Sequence, residues 1–340
     1  MLDIESGFLR DMVSEMVDAG LQSKVIVNGF YASAKVGVGS TTRCIMDALP
    51  ELSVARSNWR ADTWGRFLSK RFYERSFKYL HPTFDVRLHP YFALANDSRA
   101  VLTVHDTAGI LSESGSLARA HIRAARSAGM VISDSRSSAA EVASALQVSV
   151  EVITQYPDID FFLAPRDPKS SSSEGDRALR VGYWGGWAPR KRAIDSIVCL
   201  SSSRFSVWAT GAVPSDLHGV RIDAVGYPER VDLMKLIDGS DVAVYPSENE
   251  GYGLPVYEAL LRNVPVVIRD LPSYDDFIIK DERFGVFIIS DAAEMPAAVT
   301  RAAEFRRSGA QASSSLQFAN LADARRVLRG QLLSVLARMS

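Results

Sequence analysis

Residues 246–260 read Pro246-Ser247-Glu248-Asn249-Glu250-Gly251-Tyr252-Gly253-Leu254-Pro255-Val256-Tyr257-Glu258-Ala259-Leu260. The run before them, Val242-Ala243-Val244-Tyr245, has the continuous apolar composition of a buried parallel strand. The residues after Gly253 have helical spacing, so the glycine-rich middle is a strand-to-helix turn. Such a turn offers backbone N–H groups and a helix N-terminus to an anion. The carboxylates that bracket it, Glu250 and Glu258, accept hydrogen bonds from hydroxyls. A ligand that carries phosphate and many hydroxyls together suits this turn, and a nucleotide sugar is such a ligand.

With the proline, the glycines and the preceding strand all in register, the stretch resembles a known signature, P-S-x-x-E-G-F-G-x-P-x-x-E-A. That is the mark of the retaining, GT-B-fold glycosyltransferases of family 4 (group 1). Two glutamates eight apart would carry no weight by themselves, because helical surfaces are full of them. Here the E-x7-E spacing comes with its whole context, and Tyr252 stands where phenylalanine is usual. The pattern continues through Arg221 to Tyr227, Leu233 to Ile237, Asp241 to Ser247 and Asn263 to Val267. It covers residues 178–290 well and the N-terminal half loosely. The resemblance implies an α/β protein of GT-B architecture, with two Rossmann-like doubly wound parallel-sheet domains facing across a cleft. The C-terminal domain would handle the donor and the N-terminal one the acceptor.

Composition sets outer bounds. The 340 residues suffice for two domains, each with its own core. A net charge of -1 gives no global reason to expect nucleic acid. Cys44 and Cys199 are too few for a disulfide framework and point to a reducing compartment. Neither has metal-ligand spacing and the five histidines are scattered, so no metal site is expected. No run approaches the ~20 apolar residues of a membrane span. The acidic start, Met1-Leu2-Asp3-Ile4-Glu5, is unlike a signal peptide. The expectation is a cytoplasmic protein that can still touch the inner membrane face.

Along the chain, Leu2, Phe8, Leu9, Met12, Val13, Met16 and Val17 predict an added packing helix over 2–22. Strands and helices then alternate, which indicates parallel, doubly wound sheets. Strands are expected at Val25–Val27, Ala100–Val104, Gly129–Ile132 and Val150–Ile153, with Ser40 or Thr41 capping a helix opened by Gly37-Val38-Gly39. Residues 166–177 have the Pro/Gly/Ser-rich composition of a linker. They divide an N-terminal domain, 1–165, from a C-terminal one, 178–317. Strands resume at Leu179–Trp184, Phe205–Trp208, Val220–Val225, Val242–Tyr245, Val264–Ile268 and Gly285–Ile289. If the resemblance holds, the last segment, 318–340, is a helix that crosses back to the N-terminal domain.

The chemistry the resemblance implies is sugar transfer from a nucleoside diphosphate with retention at the anomeric carbon. No metal or other cofactor is used. Positive side chains and N–H groups stabilise the charge on the leaving group. Glu258 would take the ribose hydroxyls, from a first helical turn where the dipole also favours a carboxylate. Glu250 would meet the hydroxyls of the transferred sugar, with Gly251, Tyr252, Gly253 and Leu254 placing N–H groups beside sugar and phosphates. The loop Gly185-Gly186-Trp187-Ala188-Pro189-Arg190-Lys191-Arg192 also runs from strand to helix and carries three adjacent cations. The family pattern there is G-R-L-x-P-x-K, and Lys191 matches its diphosphate lysine. Gly186 replaces its arginine, so either Arg190 or Arg192 compensates or diphosphate binding is weaker. Gly37 and Gly39 lie where the family has a glycine-rich loop near the donor phosphate. His105 ends a buried strand, where open α/β sheets meet ligands. Family members carry a histidine there near the transferred sugar, although a structural pair with Asp106 would read the same.

Residues 56–79 interleave aromatics with cations, among them Trp59, Arg60, Trp64, Arg66, Lys70 and Arg71. That composition suits anionic lipid or a charged glycan acceptor, and equally a helix whose aromatics are core and whose cations are solvated. The expected function is hexose transfer from a GDP- or UDP-sugar, mannose slightly favoured, to a glycan or lipid-linked saccharide. The alternatives are an inactive GT-B subunit that binds nucleotide or a partner, or a sugar-nucleotide epimerase or hydrolase of similar architecture.

Overall fold

The computed structural model describes residues 25–28, 37–50, 52–55, 77–79, 83–90, 93–107, 116–166, 177–215, 217 and 219–339, with backbone only at 37–40 and 53–55 among others. The added helix expected over 2–22, and most of the segments 166–177 and 56–79, lie outside these residues. The chain forms two compact units, Met1–Tyr156 with Ala322–Ser340, and Pro157–Leu321.

In the first unit, strands β1 (Val25–Asn28), β2 (Ser53–Ala55), β3 (Val86–His89), β4 (Ala100–Thr103), β5 (Met130–Ser133) and β6 (Val150–Val152) form one sheet in the order β2-β1-β3-β4-β5-β6. Every pairing is parallel. Helices α1 (Gly37–Ala48), α2 (Ser116–Ser127) and α3 (Arg136–Leu146) connect the strands. Val104, Ala125, Val131, Val142 and Leu146 pack together between sheet and helices. Helix α1 begins at Gly37, so Ser40 and Thr41 are inside it rather than at its cap. The strand β3 carries Arg87 and His89, which disguise it in the sequence. Both are buried, Arg87 against Asp97 at 3.0 Å.

The second unit begins with the short helix α4 (Asp160–Leu163). Strands β7 (Leu179–Tyr183), β8 (Phe205–Ala209), β9 (Ile222–Ala224), β10 (Val242–Tyr245), β11 (Val266–Ile268) and β12 (Val286–Ile288) follow, ordered β12-β11-β10-β7-β8-β9. All pairings are again parallel. This is the doubly wound order whose direction reverses between its first and fourth strands, here β7 and β10. The helices are α5 (Ala193–Val198), α6 (Arg230–Asp238), α7 (Leu254–Leu261) and α8 (Met295–Arg307). Gly182 of β7 is required by its neighbour, since a Cβ there would come within 2.8 Å of the Trp208 ring.

The passage between units falls at Tyr156–Pro157, earlier than the compositional boundary at 165. Ion pairs explain this. Arg230 holds Asp158 at 2.8 Å and Asp160 at 3.0 Å, and Arg262 donates to the carbonyls of Ala164 and Pro165. Residues 157–165 are therefore stapled to the second unit. The last helix, α9 (Leu321–Ala337), belongs to the first unit, where Leu328, Leu332, Leu333 and Leu336 are buried. Arg325 pairs with Asp47 at 2.8 Å, Arg329 donates to the Ala48 carbonyl, and Gln331 Oε1 accepts from the Thr154 N–H at 2.6 Å. Among the described residues no helix is long and apolar enough to cross a membrane.

Candidate active site

Ligands bind open α/β sheets at the carboxyl ends of the strands, at the point where strand order reverses. In the second unit the turns flanking that point are 184–192, after β7, and 246–253, after β10. They are joined residue by residue. Lys191 Nζ donates to both oxygens of Glu250, at 2.7 and 2.6 Å. Arg190 donates to the Asn249 carbonyl at 3.0 Å, and Arg192 pairs with Glu248 at 3.2 Å. Three consecutive cations thus hold three consecutive residues of the other turn. Ser247 Oγ adds a hydrogen bond to Glu250 at 2.7 Å.

The cations do not lie in an α-helix. Pro189–Lys191 form a short 3-10 turn, Arg192 sits in the left-handed region at φ 49°, and α5 starts only at Ala193. Gly186 has φ 78° with nothing within 4 Å of where a Cβ would be. That backbone conformation disfavours the arginine of the family pattern. Of the two neighbours that would compensate, Arg190 reaches into the turn, while Arg192 also pairs with Asp195 and is half-exposed.

The signature turn is closely packed. Gly253 caps α7 at φ 94°, and a Cβ on it would meet the Tyr274 ring at 2.5 Å. Tyr252 is buried and stacks on Phe277 with centroids 4.6 Å apart, so a phenylalanine-like ring is what this position uses. Leu254 opens the helix, with Pro255 beside it where a missing N–H costs nothing.

Glu258 departs from expectation. It is the fifth residue of α7, so it lies past the first turn, and there is no acidic residue in that turn. Dipole stabilisation of its charge is correspondingly small. Burial instead pushes its carboxyl up to about 7, against the lowering effects of the Trp184 hydrogen bond and of Arg230. Trp184 Nε1 donates to Glu258 at 2.8 Å. The Trp184 ring stacks on Trp208 with centroids 5.3 Å apart and planes 3° from parallel. Trp184 and Arg230 stand outside both motifs, and Ser247, the serine of the signature, had no role assigned to it. For Trp184 the aromatic cluster of 183–187 was the one signal. The buried hydroxyls of Tyr245 and Tyr274 have no hydrogen-bond partner among the described residues.

In the first unit, His105 follows β4. Its partner is Asp134, at the end of β5, with Nδ1 2.6 Å from Oδ2. Asp106 contributes only weakly to its charge. Nε2 lies 3.3 Å from the Pro90 carbonyl. Gln155, hydrogen-bonded to Thr41 of α1 at 2.9 Å, contacts Nδ1 at 3.3 Å. It is the Gln155 amide nitrogen that faces the ring, while its oxygen accepts from the Thr41 hydroxyl. Burial works against protonation of His105, but Asp134 and the Pro90 carbonyl outweigh it and hold the pKa above its ordinary value. The imidazolium has a partner for each N–H. Gly37 and Gly39 lie in the first turn of α1, the helix that carries Thr41.

Of the segment 56–79, only 77–79 are described. Phe77 is core, edge-on to His89, while Tyr79 is exposed and Lys78 donates to the Asn96 carbonyl. Trp59, Arg60, Trp64, Arg66, Lys70 and Arg71 lie outside the described residues. No group of three or more His, Cys, Asp or Glu among the described residues is arranged to hold a metal ion.

Residues 217–307 match the family model described as glycosyl transferases group 1. Over 78 residues the chain is 32% identical to the O-antigen chain mannosyltransferase RfbU of Salmonella typhimurium (strain LT2), a match covering 21% of this chain and 22% of that protein. Over 72 residues it is 35% identical to the serotype-specific mannosyltransferase WbdA of Escherichia coli, covering 21% of this chain and 8% of that one. The matches therefore span under a quarter of these curated relatives. Among solved structures, HepE of Anabaena, in complex with UDP and glucose, superposes with a TM-score of 0.66 at 16% identity, covering 93% of this chain and 99% of that one. WaaG, a glycosyltransferase involved in lipopolysaccharide biosynthesis, gives 0.60 at 14% identity, covering 92% and 98%. These likenesses show the fold, which is that of GT-B glycosyltransferases.

Proposed function

We propose, for a chain whose second unit carries the group 1 glycosyl transferase segment on a GT-B fold, that it transfers a hexose from a nucleoside diphosphate sugar. The observation that carries this reading is the meeting of Lys191 with Glu250, which joins the two turns at the reversal point of the second sheet. Lys191, Arg190 and the N–H groups of 251–254 would receive the diphosphate, Glu258 the ribose hydroxyls and Glu250 the hydroxyls of the sugar. The family pattern would assign the transferred sugar to His105, which Asp134 holds. In this reading the charge on the leaving diphosphate is met by side chains and N–H groups aimed at it. The reaction is retaining and needs no metal.

Two mannosyltransferases among the relatives favour a mannose donor, with GDP-mannose ahead of UDP-hexoses. The acceptor would be a growing glycan or lipid-linked saccharide, reached at the cytoplasmic face of the membrane. The inactive-subunit reading rests on Gly186 alone and leaves the Lys191–Glu250–Glu258 arrangement without a purpose.

The test is a thermal-shift panel with GDP, UDP, ADP and their common sugar conjugates. A ligand at about 100 times its Kd adds about 2.7 kcal/mol, which raises Tm by several degrees in a protein of this size. A selective response to one nucleotide family supports the reading and names the donor. Silence across the panel counts against it. Activity with the responding donor should survive EDTA; loss that a divalent ion restores would contradict the metal-free step.

A further inference from the structure

Each cation of the 190–192 turn is already engaged by the opposite turn, and the closest engagement is that of Lys191 by Glu250. The two side chains are only 13% and 10% exposed, and both carboxylate oxygens are used. A diphosphate arriving at this site meets a lysine whose charge is already compensated. It must take Lys191 from Glu250, and a carboxylate left behind in a largely buried place needs new donors.

Resting on the donor-site reading above, we infer that Glu250 discriminates the loaded donor from the spent nucleotide. A nucleoside diphosphate sugar brings both replacements at once. Its phosphates take Lys191, while its sugar hydroxyls donate to Glu250. A free nucleoside diphosphate brings only phosphates and leaves Glu250 with the Ser247 hydroxyl in place of the lysine, so Glu250 holds on to Lys191. The same exchange favours product release. Once the sugar has left, Glu250 reclaims Lys191 and weakens the hold on the diphosphate. Ser247, which donates to Glu250 at 2.7 Å, keeps the carboxylate aimed at Lys191.

The experiment is calorimetric titration of GDP against GDP-mannose, and of UDP against UDP-glucose, into wild type, Glu250→Gln and Glu248→Gln. For the responding pair, the wild type should bind the sugar conjugate more tightly than the free diphosphate. Glu250→Gln should bind the free diphosphate about tenfold more tightly than wild type, because one charge-assisted hydrogen-bonded pair no longer competes. It should also bind the conjugate more weakly, so that the ratio of the two constants collapses. Glu248→Gln, which removes only the more exposed pair with Arg192, should leave that ratio unchanged. If Glu250→Gln does not fold, Glu250→Asp keeps a carboxylate at the site and is expected to fall between it and wild type. A free diphosphate bound no more tightly by either Glu250 variant, while wild type binds both ligands, overturns this inference alone. Failure of wild type to bind either pair overturns the donor-site reading and this inference with it.

Discussion

At the scale of single residues, Glu258 makes the clearest demand on pH. Its folded value of about 7 stands above the ordinary 4.5, so the protonated form favours the fold. Its contribution to stability is fully present below about pH 4.5 and is lost as pH rises through about 7. Ribose hydroxyls need the carboxylate as acceptor, so nucleotide binding should release a proton near neutral pH, and affinity should weaken below it. Calorimetry of the responding nucleotide in buffers of different ionisation heat will count that proton. Glu258→Gln should abolish the release and weaken binding, whereas an unchanged proton count would assign the release elsewhere. His105 makes a second demand. Asp134→Asn should lower its pKa, visible as a shift of its ring-proton titration to lower pH by NMR. His105→Ala should cut turnover and leave nucleotide affinity close to wild type. These residues were legible to unequal degrees. Lys191, Glu250 and Glu258 sit in a spaced motif, so chain order brings them forward. Asp134 and Gln155 lie 29 and 50 residues from His105, joined to it only through the sheet, and neighbouring Asp106 was the misleading choice.

At the scale of elements, the apolar strands of both sheets were readable, because strands buried on both faces are continuous runs of Val, Ile and Leu. Strand β3 was not readable, since Arg87 and His89 break the run and are tolerated only through partners elsewhere in the fold. The strand β2, Ser-Val-Ala, is too short to announce itself. The start of α7 was legible as a glycine-rich turn but not to the residue, and this misplaced Glu258 by one turn. Gly253 tests the element directly. Its φ of 94° and the Tyr274 ring leave no room for a methyl group. Gly253→Ala should cost at least ~1–2 kcal/mol from backbone conformation alone, lowering Tm by several degrees. It should also weaken nucleotide binding, because the N–H groups of 251–254 would be re-aimed. An unchanged Tm would mean the turn is looser than its packing indicates.

At the scale of the molecule, the two-sheet architecture followed from the alternation of strands and helices, whereas the point of passage between units did not. Composition drew attention to 166–177, but Arg230 and Arg262 hold 157–165 on the second unit, and no local pattern reveals such long-range pairs. The second unit is one continuous stretch, 157–321, with its own sheet and core. Expressed alone it should fold cooperatively and bind the same nucleotide as the full chain, while 1–156 alone should not fold. Circular dichroism melts of both fragments check this, and a cooperative melt for 1–156 would show α9 to be dispensable. The placement of α9 also has a meaning in time. The ribosome delivers residues 25–156 first, yet the leucines that complete their core arrive only after the whole of 157–321 has been made. At ~5–20 residues per second, that wait is on the order of ten seconds or more. Throughout it the early half of the newborn chain shows an uncovered apolar face, the kind of surface chaperones attend, while the later half can already be folded.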